Sequence, residues 1–239
     1  LIRFACAGAP VVLRERESFE RTREARIGNP MLGSDMALHL ETKPRAARFF
    51  ERSWCAVVLR DPMRTRSSRD MKISREVFVQ TLAEGLDRIA EATGLRLVFI
   101  PFGLVEDDDR GFQREVRDRM RTGRDSLLVE QEHPVDELLA LIGEASLVVA
   151  MRLHGAIFAM NQCVPVVGLA YAAKVRKQFE HFDMGDRVLE LEEVGRLAEL
   201  AQATYSERAV VAEHIRVRLA ELRSAFAQTL DLALGRSEP

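Results

Sequence analysis

The chain has 239 residues, of which 47% are hydrophobic and 30% charged. This composition predicts a folded globular protein and excludes a disordered or fibrous chain. The 35 basic and 37 acidic residues give a net charge of −2. That balance excludes a general nucleic-acid binder, because such a protein needs a basic face.

The ends of the chain carry no targeting signal that we recognise. No run of about 18 apolar residues predicts a transmembrane helix, and no signal peptide opens the sequence, so we expect a cytoplasmic protein. The sequence begins with Leu1 rather than Met and enters an apolar stretch at once. This start predicts that an N-terminal part is missing.

The first 50 residues read as the end of an α/β unit. We expect a strand over residues 10–14, an N-cap at Ser18 and a short helix over residues 19–26. Turn signals follow at residues 28–30 and 33–35. We therefore interpret residues 1–50 as the remnant of an N-terminal α/β domain and its linker.

Residues 51–203 alternate apolar runs with amphipathic stretches of helical length. The predicted strands are 55–59, 95–100, 126–129, 146–150, 164–169 and 188–191, and the predicted helices are 74–93, 111–122, 134–142, 154–162 and 174–181. Because the strands are apolar throughout, they indicate a parallel sheet covered on both faces. The sequence thus predicts a Rossmann-like, doubly wound domain that binds ligands at the carboxyl ends of its strands.

Residues 204–239 are predicted to form a C-terminal helix that packs on the domains. Its apolar residues recur every three or four positions, at Val211, Ile215, Leu219, Leu222 and Phe226. The three cysteines, Cys6, Cys55 and Cys163, are scattered among apolar neighbours. They predict buried free thiols rather than a metal site.

The most informative segment follows the predicted strand at residues 146–150. Arg152 and His154 stand in the turn before an apolar helix, with Gly155 beside them. A helix N-terminus and an arginine fork favour a phosphate or carboxylate, and glycine allows close backbone approach. His154 could then exchange a proton beside the anion. The alternative is that His154 only makes hydrogen bonds at the helix start and Arg152 ties down a loop.

Other candidate residues stand at the same predicted sheet edge. Arg60 ends the first strand of the domain, and Tyr171 and Lys174 follow the strand at 164–169. Lys174 could neutralise a phosphate or lie in solvent. The basic residues that follow Arg60 are more typical of a solvated loop; they are Arg64, Arg66, Arg69 and Lys72.

An acidic run occupies Glu106, Asp107, Asp108 and Asp109. Consecutive carboxylates seldom converge on one ion, so we interpret this run as a surface loop that caps the following helix. No metal site is predicted. Glycine-rich dinucleotide and P-loop motifs, the nucleophile elbow of serine hydrolases and the zincin motif are all absent from the sequence.

Taken in order, these segments resemble the polysaccharide pyruvyl transferase family. The resemblance rests on residues 151–159, on residues 164–171 followed by Lys174, and on two upstream stretches at residues 11–18 and 34–37. It implies a GT-B-like architecture of two Rossmann-like domains, with most of the N-terminal domain absent here. It also implies transfer of the enolpyruvyl group of phosphoenolpyruvate onto sugar hydroxyls of a cell-surface polysaccharide.

The resemblance assigns roles to several residues. His154 would be the catalytic residue, Arg152 and Leu153 would lie against phosphoenolpyruvate, and Arg60 is the candidate for a second donor-binding arginine, with Arg14 as its competitor. Phosphoenolpyruvate would be the donor substrate, no separate cofactor is implied, and a glycan or lipid-linked saccharide would be the acceptor. Where the family often has Asp-Pro between the tyrosine and the lysine, this chain has Ala172 and Ala173.

Two alternatives stay open at this point. One is another GT-B enzyme, such as a nucleotide-sugar glycosyltransferase or epimerase, that uses the same helix N-terminus for a diphosphate. The other is a non-catalytic anion-binding domain that keeps the fold. A homo-oligomer is also compatible with the sequence.

Overall fold

The computed structural model describes residues 6–42, 49–64, 72–103 and 108–236. Two compact units divide the chain: the described residues of Leu1–Leu40 with Val217–Pro239 form the smaller one, and those of Glu41–Arg216 form the larger one. The division into segments 1–50, 51–203 and 204–239 stays a prediction.

The smaller unit contains a pair of parallel strands joined by a helix. Strand β1 (Pro10–Leu13) pairs with β2 (Asn29–Leu32), and helix α1 (Arg16–Glu24) connects them. The predicted turn at 28–30 is wrong in part, because only Gly28 has a positive φ, of 57°, and Asn29 already pairs with Pro10. The predicted N-cap at Ser18 is also wrong: the helix begins at Arg16, so Ser18 lies inside its first turn.

A polar cluster follows β2 in this unit. The Asp35 carboxylate accepts the Ala37 N–H at 3.0 Å and pairs with Arg14 Nη1 at 2.5 Å. Ser34 Oγ lies 2.8 Å from His39 Nε2, and the His39 ring centroid lies 4.3 Å from that of Phe226. Burial lowers the pKa of His39, and a nearby arginine lowers it further.

The larger unit is built on a six-stranded parallel sheet in the order β5-β4-β3-β6-β7-β8. Its strands are β3 (Trp54–Val58), β4 (Arg96–Phe99), β5 (Leu127–Leu128), β6 (Leu147–Ala150), β7 (Val166–Ala170) and β8 (Val188–Glu190). Strands β3, β6 and β7 are buried along their whole length. The predicted parallel sheet, with both faces covered, is therefore confirmed.

Seven helices follow in the described part of the chain beyond residue 72. They are α2 (Arg75–Thr93), α3 (Arg110–Arg119), α4 (Val135–Gly143), α5 (Leu153–Asn161), α6 (Ala173–His181), α7 (Leu197–Ser206) and α8 (Arg208–Ala233). Six of them, including the C-terminal α8, lie close to their predicted positions. Helix α7 is missing from the prediction, because most of the residues that it buries are small and leave a weak apolar period.

Helix α8 starts in the larger unit and continues in the smaller one. All five residues of its predicted apolar stripe are buried, with at most 9% of their surface exposed. None of the helices in the described residues is long and apolar enough to span a membrane.

A buried carboxylate fixes the turn that follows α3. Asp87 is 2% exposed and accepts hydrogen bonds from the backbone N–H groups of Arg121 and Thr122 and from the Thr122 hydroxyl. Burial alone would raise the pKa of Asp87, but these hydrogen bonds outweigh it and lower the pKa.

The cysteines are free thiols, as predicted, but only one of them is fully buried. Cys55 lies inside β3, whereas Cys6 and Cys163 are half-buried. Burial strongly raises the pKa of Cys55. Within the described residues, no group of His, Cys, Asp and Glu side chains is arranged to hold a metal ion.

Candidate functional site at the carboxyl edge of the sheet

The strand order identifies where a ligand should bind. The chain runs from β3 to β4 and β5 on one side, and then returns to place β6 on the other side of β3. In open α/β sheets such a reversal opens a crevice beyond the carboxyl ends of the two central strands. Arg60 follows β3, and Arg152 and His154 follow β6, so these candidates flank the reversal.

Arg60 and Tyr171 form a buried pair that reaches across the end of β6. They are 7% and 5% exposed, respectively. Arg60 Nη1 donates to Tyr171 Oη at 3.1 Å, and its Cζ lies 4.6 Å from the centre of the tyrosine ring. Lys174 is exposed, with Nζ 5.6 Å from the same ring centre. Tyr171 therefore holds two cations at the ends of β3 and β7 by hydrogen bonding and cation–π attraction.

Arg152 makes a two-pronged ion pair with Asp109. Arg152 Nε lies 3.0 and 3.2 Å from the two carboxylate oxygens, and Nη2 lies 2.5 Å from Oδ1. The Asp109 side chain is 1% exposed and that of Arg152 16%. Arg152 thus ties a loop down, as the alternative interpretation states, while it also stands at the predicted edge.

Asp109 corrects the prediction made for the acidic run. Its carboxylate is buried and also accepts the backbone N–H groups of Phe102 and Gly103, at 3.1 and 2.9 Å. It makes no side-chain cap for α3. Asp108 is the residue that accepts the first N–H of that helix, from Arg110 at 2.9 Å. Glu106 and Asp107 lie outside the described residues.

His154 lies in the first turn of α5 and is exposed, so it is accessible to a ligand. Its ring centroid lies 6.4 Å from that of Phe158, which in turn lies 5.4 Å from that of Phe102 in the loop after β4. Leu153 is only 6% exposed, so most of its side chain packs against protein.

Gly155 is required by packing. A Cβ at this position would lie 2.8 Å from Val58 Cγ1 and 3.0 Å from Val58 Cβ. The first turn of α5 therefore approaches β3 as closely as the missing side chain allows. The structure accounts for this glycine through the sheet, whereas the sequence interpretation used it for approach to a ligand.

Helix α3 contacts the residues that follow β3 and β4 and so stabilises the carboxyl edge of the sheet. Gln113 is fully buried, and its Nε2 donates to the carbonyls of Leu59 at 3.0 Å and Ile100 at 3.2 Å, which ties the ends of β3 and β4 together.

On the same helix, Glu115 pairs with the guanidinium of Arg75. That guanidinium also pairs with Asp61 in the loop after β3. Arg75 holds the pKa of the Glu115 carboxyl below its usual value.

Sequence reasoning does not identify Asp109 or Gln113. One feature of the sequence could have pointed to Asp109: it stands immediately before a predicted helix, in the loop that follows β4, the strand next to β3. Of the basic residues after Arg60, Arg64 and Lys72 are exposed, as a solvated loop requires. Arg66 and Arg69 lie outside the described residues.

A cleft of about 570 Å³ lies at the opposite edge of the sheet. Arg52, Arg96 and Arg124 contribute to its lining, beside the amino ends of β3 and β4. These three arginines are exposed. Because ligands of doubly wound sheets bind beyond the carboxyl ends, we assign the candidate site to the edge that carries Arg60, Arg152 and His154.

Fold and site together define a Rossmann-like α/β domain of the kind found in GT-B transferases. Solved structures agree on the fold. An O-GlcNAc transferase mutant of Thermobaculum terrenum is 18% identical, with a TM-score of 0.53, over 95% of this chain and 44% of its own. A structure of accessory secretory proteins 1, 2 and 3 of Streptococcus pneumoniae is 15% identical, with a TM-score of 0.60, over 97% and 44%.

A trehalose-phosphate synthase of Burkholderia vietnamiensis is 11% identical, with a TM-score of 0.53, over 98% of this chain and 63% of its own. This chain therefore spans less than two thirds of the length of these solved chains. At such identities the likeness shows the fold alone.

The family model for polysaccharide pyruvyl transferase matches residues 4–172. The chain belongs to this family. The comparison with curated proteins finds no relative in sequence.

Proposed function

We propose that the chain carries the donor site of a pyruvyltransferase that moves the enolpyruvyl group of phosphoenolpyruvate onto hydroxyls of a sugar. The observation that carries this proposal is the placement of three cations on the ends of three neighbouring strands. Arg60, Arg152 and Lys174 follow β3, β6 and β7, and His154 stands beside Arg152. Phosphoenolpyruvate offers the matching groups, a phosphate and a carboxylate.

The reaction needs an acid beside two anionic groups. A proton is added to C3 of the enol while a first sugar hydroxyl forms a bond to C2 and loses its proton. The C2–O bond to phosphate then breaks, and a second hydroxyl forms the second bond to C2 and loses its own proton. The products are a pyruvate ketal and inorganic phosphate, and no electrons are exchanged.

In this proposal, His154 delivers the proton to C3, which requires an imidazole that a ligand can reach. Arg152 binds one anionic group of the donor at the start of α5, where the helix N-terminus also favours negative charge. Arg60 binds the other group, with its orientation fixed by Tyr171. Lys174 adds an exposed positive charge at the same edge, and Leu153 and Gly155 set the close packing of the turn.

The acceptor, on this proposal, is a glycan or lipid-linked saccharide destined for the cell surface, and the enzyme acts in the cytoplasm. The donor is consumed as a substrate, and the chemistry assigned to His154 and the arginines calls for no separate cofactor.

The direct test is release of phosphate from phosphoenolpyruvate in the presence of a saccharide acceptor, with the ketal detected by NMR. We expect His154→Ala to abolish ketal formation while donor affinity stays within a few-fold of that of the unsubstituted protein. His181→Ala, at the C-terminal end of α6, is the matched control and should keep full activity. Ketal formation by the His154→Ala variant at the normal rate would remove His154 as the acid.

Donor binding has its own test by calorimetry with phosphoenolpyruvate. Arg152→Ala should weaken binding by about 1.5–3 kcal/mol, the usual value of a hydrogen bond to a charged group. Unchanged affinity would contradict the role of Arg152. Turnover of a nucleotide sugar would replace the proposal with a glycosyltransferase, and tight donor binding without turnover would favour a non-catalytic anion-binding domain.

A further inference from the structure

We infer that Asp109 is a positioning residue of the donor site, which sets the orientation of Arg152 before phosphoenolpyruvate binds. This inference rests on the proposed function. It assigns no contact with the donor to Asp109 itself, which acts through the arginine.

The geometry of the pair supports this role. Asp109 engages Nε and Nη2 of Arg152, so both oxygens of the carboxylate face the arginine fork. Such a two-pronged arrangement fixes the plane of the guanidinium as well as its distance. An arginine held by one contact could rotate about its long side chain, whereas this one is held in one orientation.

Burial makes the arrangement obligatory. The Asp109 side chain is 1% exposed, and an unpaired carboxylate at that depth would be strongly destabilising. The N–H groups of Phe102 and Gly103 supply two further donors to the same carboxylate. With the guanidinium and two backbone amides around it, Asp109 has one stable orientation, and Arg152 shares it.

The position of Asp109 is itself fixed by the fold. It directly precedes α3, and Gln113 on that helix is bonded to the carbonyls that follow β3 and β4. The helix that begins after Asp109 is therefore fixed to the ends of β3 and β4. An arginine oriented in advance loses less side-chain entropy when the donor binds, so positioning should strengthen donor binding.

The contact between Asp109 and Arg152 could also serve two other roles, each with a different effect on donor affinity. If Asp109 merely competed with the donor for Arg152, then neutralising it would release the arginine and tighten donor binding. If Asp109 served stability alone, its replacement would lower the melting temperature without changing the donor constants of the folded protein. The sign of the change in donor affinity therefore separates the three roles.

The experiment compares Asp109→Asn with Asp108→Asn. The Asp109→Asn side chain would keep the shape and an acceptor for backbone N–H groups but would lack the charge that holds the guanidinium. Asp108 is the matched control, because it is the adjacent carboxylate, its side chain is 37% exposed, and it pairs with Arg110. Donor affinity is measured with phosphoenolpyruvate by calorimetry, and donor KM, acceptor KM and kcat are measured by phosphate release.

For Asp109→Asn we expect a loss in kcat/KM for phosphoenolpyruvate of up to about 100-fold, the scale of a catalytic group displaced by about 1 Å. The loss should appear in donor affinity and donor KM, with acceptor KM unchanged. Asp108→Asn should stay within about twofold of the unsubstituted protein in all constants. Donor binding by Asp109→Asn that is as tight as normal or tighter, or an equal loss in Asp108→Asn, would overturn the inference.

Asp109→Glu covers the case in which Asp109→Asn does not fold. It keeps the charge but moves the carboxylate by one methylene, so the folded variant should also bind the donor more weakly. Normal donor affinity in this variant would overturn the inference as well. Failure of the unsubstituted protein to bind or turn over phosphoenolpyruvate overturns the proposed function together with the inference, whereas an active protein with unaffected Asp109 variants overturns the inference alone.

Discussion

The close approach of α5 to β3 makes Gly155→Ala a sensitive test of how the candidate site is built. The added Cβ would lie 2.8 Å from Val58 Cγ1 and 3.0 Å from Val58 Cβ. Val58 is fully buried in a central strand that pairs on both sides, so it has little room to move. The first turn of α5, which carries the Arg-x-His segment, would have to shift away from the sheet.

The expected magnitude combines two opposing effects. Overpacking a buried position costs about 1–3 kcal/mol. Alanine recovers up to about 1 kcal/mol of helix propensity relative to glycine. Subtracting about 1 kcal/mol from that cost leaves about 0–2 kcal/mol, so we expect Gly155→Ala to lower the free energy of unfolding by about 1 kcal/mol. It should also reduce ketal formation, because Arg152 and His154 move with the turn.

Two variants control this prediction. Gly111→Ala places the same methyl group in α3, where no atom lies within 4 Å, and should raise stability by about 0.5–1 kcal/mol. Val58→Ala removes the methyl group that would lie 2.8 Å from the added Cβ but keeps the Val58 Cβ at 3.0 Å, so adding Gly155→Ala in that background should cost less than it does alone.

Urea unfolding followed by the fluorescence of Trp54, the single tryptophan of the chain, measures the unsubstituted protein, the three single variants and the double variant. Trp54 begins β3 and is 2% exposed, so it reports on the core of the larger unit. Normal stability of Gly155→Ala, or an equal cost in the Val58→Ala background, would refute the packing argument.

Three further outcomes follow from buried groups. Because the pKa of His39 is lowered in the fold, the unfolded chain binds more protons, so stability should fall as the pH drops below about 6.5; His39→Gln should flatten that slope in acid unfolding curves. Cys55 should resist alkylation until the protein unfolds, whereas half-buried Cys163 should react in the native state, as peptide mass mapping would show; equal labelling would contradict the burial. Asp87→Asn should cost about 1–3 kcal/mol in urea unfolding, against less than about 0.5 for exposed Glu91→Gln, and equal effects would contradict the buried turn.

Much of the fold could be predicted because its strands are buried on both faces. A strand such as Val166–Ala170 has no solvent side, so it appears in the sequence as an unbroken apolar run between helical segments. The same logic fails where burial is slight. Strand β2 is exposed or half-buried along its length and contains a proline, so its sequence is typical of a turn.

From the sequence alone, the candidate site could be assigned only to the carboxyl edge of the sheet. Once a parallel sheet is predicted, every residue that follows a strand is assigned to the carboxyl edge, which places Arg60, His154 and Tyr171 there. That rule does not predict the order of the strands. The loops of Arg60 and Arg152 lie next to each other because β3 pairs with β6 at the reversal of the sheet.

Long-range partners lie beyond such reasoning, and Asp109 shows why. The three residues before it are also acidic, and nothing local distinguishes Asp109, whose side chain is 1% exposed, from Asp108, whose side chain is 37% exposed. The distinction comes from an arginine 43 positions away, which supplies the charge that makes burial of Asp109 tolerable. The dependence also runs in the other direction: the orientation of Arg152 is set by a loop on another strand, so an Arg-x-His segment alone does not specify a donor site.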